Sequence, residues 1–129
     1  MLLHGILNPA ILELLARFRH TNTIVIADRG FPFWPEVPTV DISLVDDVPT
    51  TSAVLSAVAG CCKLGAAFMA DEFRLPNPPT IVGQYVSLLG VTPLSFESHQ
   101  DLKRRVPQAV GLIRTAGTVQ YSNIILESA

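Results

Sequence analysis

Apolar residues recur along this chain at two spacings, and each change of spacing marks a change of element. After Pro9, residues Ile11, Leu12, Leu14, Leu15 and Phe18 return every three or four positions, the signature of one buried helix face. Asn8 supplies an N-cap side chain and Pro9 the favoured first helical residue. Arg17, Arg19 and His20 fall at the expected end of this helix, where its dipole favours positive charge. The pattern then changes to the unbroken run Ile24-Val25-Ile26-Ala27, which together with Thr23 predicts a buried strand. Asp28 stands at its carboxyl end, and Gly30 and Pro32 force a turn after it.

The remaining pattern alternates in the same way. Phe31 to Pro38 holds three prolines and three aromatics, which predicts a rigid, ordered loop. A strand is expected over Val40 to Leu44. Val48-Pro49-Thr50-Thr51 opens a helix continued by Val54, Leu55, Val58 and Cys62. Ala66 to Ala70 reads as a short apolar strand. Asn77-Pro78-Pro79 is expected to cap a helix through Leu88 and Leu89, ended by Gly90. A strand over Val91 to Phe96 follows, and then a helix over His99 to Val106 with Ser98 as N-cap. Two last strands, Ala109 to Arg114 and Asn123 to Leu126, are expected with Thr115-Ala116-Gly117 turning between them. Helices alternating with strands define an α/β fold.

Composition adds three constraints. A length of 129 residues suits one domain spanning residues 1–129. The chain has 9 basic and 11 acidic residues, against about 32 charged residues for an average chain of this length. Mean hydropathy is nevertheless +0.41, and no uninterrupted apolar stretch is long enough to span a membrane. The expected explanation is a homo-oligomer that buries subunit surface against copies of itself. A net charge of −2, with Lys103-Arg104-Arg105 as the sole basic cluster, argues against nucleic acid as a partner. The start lacks a basic n-region, so no signal peptide is expected. Cys61 and Cys62 are adjacent and cannot form a disulfide framework, which fits a reduced, cytoplasmic protein.

Among the groups able to do chemistry, His4 belongs to the surface start and is given no role. His20 and His99 both lie at junctions between elements, where ligand groups collect. Asp46-Asp47 and Asp71-Glu72 read as solvated turns, because no His or Cys stands near them at metal-ligand spacing. Dinucleotide, P-loop, serine-hydrolase and zinc-protease motifs are missing. A phosphatase using Asp28 would carry a second carboxylate two residues on, where this chain has Gly30. What remains is His20, Asp28, His99 and the Tyr121-Ser122-Asn123 segment. These are hydrogen-bonding groups suited to a polyhydroxylated ligand, together with side chains that exchange protons near neutral pH.

These residues resemble one known family. Gly5 to Ile11 with Leu7 and Asn8, His20 to Thr23, and the Asp-x-Gly-x-Pro of Asp28 to Pro32 are similar to the D-ribose pyranase and L-fucose mutarotase (RbsD/FucU) family. So are Asp41 to Leu44 with Val48-Pro49, His99 with Lys103, and Tyr121 to Leu126. The resemblance implies a single-domain layered fold with a mixed sheet and flanking helices. It implies a mutarotase or pyranase that interconverts cyclic forms of a ribose- or fucose-like sugar by acid–base ring opening, without cofactor or metal. It makes His20 the proton donor, and Asp28, His99, Tyr121 and Asn123 the sugar-binding residues. It also implies a ring-like homo-oligomer, from pentamer to decamer, with sites at subunit contacts. Three positions depart from the pattern: Arg19 replaces glycine, Asn22 aspartate and Arg29 alanine. Asn22 bears most on activity, since an amide there removes a carboxylate partner for His20. The rival reading is a non-catalytic sugar-binding or sensing protein of the same fold.

Overall fold

The computed structural model describes residues 1–129, and the central apolar run is its middle strand, β1 (Thr23–Ala27). Around it, in chain order, are α1 (Pro9–Ala16), β2 (Thr39–Asp41), α2 (Thr51–Ala59), β3 (Leu64–Ala70), α3 (Pro79–Leu89), β4 (Leu94–Glu97), α4 (His99–Arg105), β5 (Gly111–Arg114) and β6 (Ile124–Ser128). The six strands form one mixed sheet in the order β2-β5-β1-β6-β3-β4. Every neighbouring pair is parallel except those made by β6, which runs antiparallel to both β1 and β3.

The period-two geometry of β1 divides the core. Ile24 and Ile26 face a cluster of 16 buried residues that includes Ile11 and Leu14 of α1, Leu55 and Val58 of α2, and Tyr85 and Leu89 of α3. Val25 and Ala27 face a second cluster of 10 that includes Leu102 of α4, Phe31 and Val37. All four β1 residues are fully buried. Each isoleucine there stabilises the fold by roughly 2–3 kcal/mol. The result is three layers: helices α1 to α3, the sheet, and α4 with the proline-rich loop.

Several element ends differ from the sequence reading, each for a local reason. Helix α1 stops at Ala16 with Arg17 as C-cap, so no basic residue lies in its last turn and His20 lies beyond the helix. Strand β2 ends at Asp41 because that carboxylate accepts the Ser43 N–H (2.9 Å) and folds the chain away. Strand β4 starts at Leu94 because Gly90 takes φ +58° and a turn through Thr92 follows. Asn77 does not cap α3. Pro78 holds the N-cap position, while the Asn77 amide donates to the Phe73 and Gln120 carbonyls (2.7 and 2.9 Å). The largest difference concerns residues 115–123. Strands β5 and β6 are not neighbours, since β1 lies between them. Their connection therefore crosses the carboxyl end of β1 rather than making a tight turn.

Candidate active site

The strand directions collect the carboxyl ends of β1 to β5 and the amino end of β6 along one edge of the sheet, where ligand groups gather in α/β proteins. Asp28 follows β1, His99 follows β4, and Tyr121 and Asn123 precede β6. All four line one open pocket of about 330 Å³, together with Gly30, Phe31, Pro32 and Gln120. This volume lies at the small end of the usual range for ligand sites. The sequence-predicted binding residues therefore converge, although Asp28 and Asn123 are 95 positions apart.

Asp28 and Asn123 hold each other. The Asp28 N–H donates to Asn123 Oδ1 (2.8 Å), and the Asp28 carboxylate accepts the Gly30 N–H (3.0 Å). Partial burial is the largest influence on the carboxyl and raises its pKa above 3.8, against the pull of nearby N–H groups, the Asn123 amide and the Arg114 guanidinium. His99 opens α4, where Ser98 Oγ caps the helix by accepting the Asp101 N–H (3.1 Å). The His99 N–H donates to Glu72 Oε2 (2.7 Å). Its ring stands edge-on to Tyr121, with centroids 5.2 Å apart, and to Phe31 at 6.1 Å. Burial, followed by the Lys103 charge, lowers its pKa below 6.5 despite Glu72 and Asp28. The imidazole is thus neutral near pH 7, with one nitrogen a donor and the other an acceptor. Its Nδ1 is buried and has no protein partner. Tyr121 takes φ +56°, which turns it outward between the buried Ser122 and the exposed Gln120.

A set of polar residues beneath this edge, Ser122 apart, was not singled out from the sequence. Thr115 Oγ1 donates to the Ala27 carbonyl (2.8 Å) and lies 3.0 Å from Thr51 Oγ1. Ser122 Oγ donates to Thr51 Oγ1 (3.2 Å). Burial raises the Tyr85 pKa, opposed by its hydrogen bonds to Ser122 and Thr51. Arg114 donates Nη1 to the Asp28 and Phe31 carbonyls (3.0 and 2.5 Å) and Nη2 to that of Pro32 (3.0 Å). Glu72 and Asp47 also exceed their expected role as solvated turns. Glu72 fixes the start of α4, and the Asp47 carboxylate accepts both the N–H and the hydroxyl of Thr118.

His20 is not part of this pocket. It is exposed and precedes β1, whereas Asp28 follows β1. Five strand residues separate the two ends by roughly 17 Å. His20 and Asp28 of one chain therefore lie at opposite ends of β1 and do not face a common cleft within it. Near His20, Thr21 (φ +65°) donates its N–H to the Ser128 carbonyl (3.0 Å). Asn22 Oδ1 accepts the Arg19 N–H (3.1 Å), so the side chain at position 22 shapes the turn that carries His20. Arg29 pairs with Asp46 (2.6 Å) and does not line the pocket.

A three-layer α/β fold with a small polar pocket at the strand ends defines a binding site for a small hydroxyl-bearing ligand. The chain belongs to the RbsD / FucU transport protein family, whose model matches residues 1–129. It is 39% identical over 124 residues to a D-ribose pyranase of Geobacillus kaustophilus, covering 96% of this chain and 90% of that one. It is 36% identical to a D-ribose pyranase of Geobacillus thermodenitrificans, with coverage of 97% and 94%. Among solved structures, Bacillus subtilis RbsD complexed with D-ribose superposes with a TM-score of 0.93 at 29% identity, covering 100% of this chain and 98% of that one. The L-fucose complex of the Streptococcus pneumoniae fucose mutarotase shares the fold, with a TM-score of 0.82 at 21% identity and coverage of 99% and 98%.

Proposed function

We propose that this protein is a monosaccharide isomerase of the mutarotase and pyranase kind, acting on a free reducing sugar such as ribose. The observation that carries the reading is the convergence of Asp28, His99, Tyr121 and Asn123 on one pocket of about 330 Å³. The relatives named D-ribose pyranase support it. Opening the hemiacetal ring needs a proton delivered to the ring oxygen and another taken from the anomeric hydroxyl. Rotation about the first carbon–carbon bond and re-closure then give the other anomer, and closure by a different hydroxyl exchanges pyranose for furanose. Asp28 accepts hydrogen bonds from sugar hydroxyls, Asn123 and Tyr121 complete the cradle, and neutral His99 offers both a donor and an acceptor. His20 is the acid, and positioned acid–base groups contribute roughly 10²- to 10⁴-fold.

Because His20 lies at the opposite edge of its own chain, the complete site takes His20 from a second copy and the cradle from the first. Head-to-tail docking of the two edges makes a heterologous interface, the kind that forms a ring when the rotation between neighbours closes. Exposed apolar side chains support such docking: Phe33, Leu44, Val45 and Val48 are 72%, 77%, 62% and 49% accessible. A second reading, a sugar-binding or sensing protein, is favoured by the fact that one chain holds the cradle without the acid. Two-dimensional NMR exchange across a panel of reducing sugars separates the two. The isomerase reading expects faster exchange between sugar forms in the presence of protein; saturable binding with no acceleration would establish the sensor. The ring C–O bond breaks and re-forms with proton transfers alone to assist it and no redox change, so a chelator is expected to leave the exchange rate unchanged.

A further inference from the structure

Arg114 ends β5, where it pairs in register with Ala27 of β1 and Asp41 of β2, and it is only 8% exposed. Its guanidinium donates three hydrogen bonds to main-chain carbonyls, those of Asp28, Phe31 and Pro32. No carboxylate forms an ion pair with it. Withdrawing such a charge from water is costly, and carbonyl oxygens offset the cost only in part. The carboxylates of Asp28 and Asp41 are near enough for this charge to pull their pKa values downward, and the three carbonyls would lose their donor if it were replaced by an apolar side chain. What the arginine does hold is one wall of the pocket, because Asp28, Gly30, Phe31 and Pro32 all line it. Arg114 itself lies behind that wall. A planar fork can serve three carbonyls from two nitrogens in fixed directions, whereas a lysine ammonium on a flexible stem cannot.

We propose that Arg114 is a positioning residue for the sugar site, presetting the 28–32 loop so that Asp28 and the pocket wall are in place before ligand arrives. The inference rests on the sugar-isomerase reading for its kinetic test, but not for its structural one. Arg114→Met and Arg114→Lys should raise the KM for the sugar about tenfold or more, because a displaced carboxylate loses its hydroxyl contacts. The value of kcat should change much less, since His20 is not on this loop. A purely structural role would instead reduce the amount of folded protein, lowering apparent kcat at constant KM. Lysine keeps the charge without the fork, so Arg114→Lys should behave like Arg114→Met. A lysine variant with wild-type KM would overturn the proposal.

Backbone amide hydrogen exchange on the wild-type protein provides the second test and needs no variant to fold. The Phe31 N–H, which points at the Asp28 carbonyl, should be protected in the free protein and gain little protection on adding D-ribose. An unprotected loop that becomes ordered only with sugar would overturn the proposal. If wild type neither binds sugar nor accelerates exchange, the isomerase reading fails, while protection in the sugar-free loop still decides whether the loop is preset.

Discussion

At the scale of single residues, His20 and Asp28 behave differently because one is exposed and the other partly buried. His20→Ala should leave the fold of the individual subunit almost unchanged, since His20 is exposed on the single chain and substitutions at exposed positions usually fall within about 0.5 kcal/mol. It should slow sugar-form exchange about 10²-fold or more, the scale of a lost acid–base group, and weaken sugar binding much less. For Asp28, burial places ionisation above the ordinary carboxylate value. Sugar affinity should therefore decline with falling pH sooner than an unperturbed aspartate would allow, and Asp28→Asn should abolish that acid limb in a calorimetric titration. His99 has the opposite linkage to stability. Its folded pKa lies below 6.5, so between the two values the unfolded chain holds a proton that the folded chain lacks. Stability is then lost as pH falls through that window. Asp28 acts against this loss, because its raised folded pKa means that acidification relieves a penalty present at neutral pH. Urea melts near pH 7 and about pH 5 should show a smaller acid loss for His99→Gln than for wild type.

At the scale of elements, the connection from β5 to β6 matters most, because it carries Tyr121 and Asn123 across the end of β1. Its close fit gives a direct test. A Cβ at Gly117 would stand 2.3 Å from Thr51 Oγ1 and 3.0 Å from the Thr51 N. Gly117→Ala should therefore destabilise the protein by about 1–3 kcal/mol, the usual range for overpacking, measurable by thermal unfolding. The element pattern was readable in the sequence because apolar period and caps agree: Asn8-Pro9, Thr50 and Ser98 all start helices as predicted. Asp28 was singled out by its place at a strand end, His99 by its place at a junction between elements, and Tyr121 and Asn123 by their hydrogen-bonding groups and the family resemblance. Arg114 and Thr115 were not. They follow the apolar run Val110 to Ile113, and nothing in that spacing shows that a neighbouring strand supplies their partners. What His20 faces was also hidden, since sequence order puts it and Asp28 at opposite ends of β1 but does not show what meets either end.

At the scale of the whole molecule, the shortage of charge and the exposed apolar side chains are accounted for if copies dock edge to edge. Sedimentation should then give a ring-like oligomer of five to ten chains, as the family resemblance implies; a stable monomer of 14.0 kDa at micromolar concentration would contradict it. The central claim is that one chain's His20 serves another chain's cradle, and subunit mixing tests it most directly. His20→Ala and Asp28→Ala proteins are prepared separately, each deficient in sugar-form exchange, then dissociated and reassembled together in equal amounts. A shared site predicts recovery of about one quarter of the wild-type NMR exchange rate, because that share of interfaces joins an intact His20 to an intact cradle. Mixed oligomers that form but stay as inactive as their parents would contradict it.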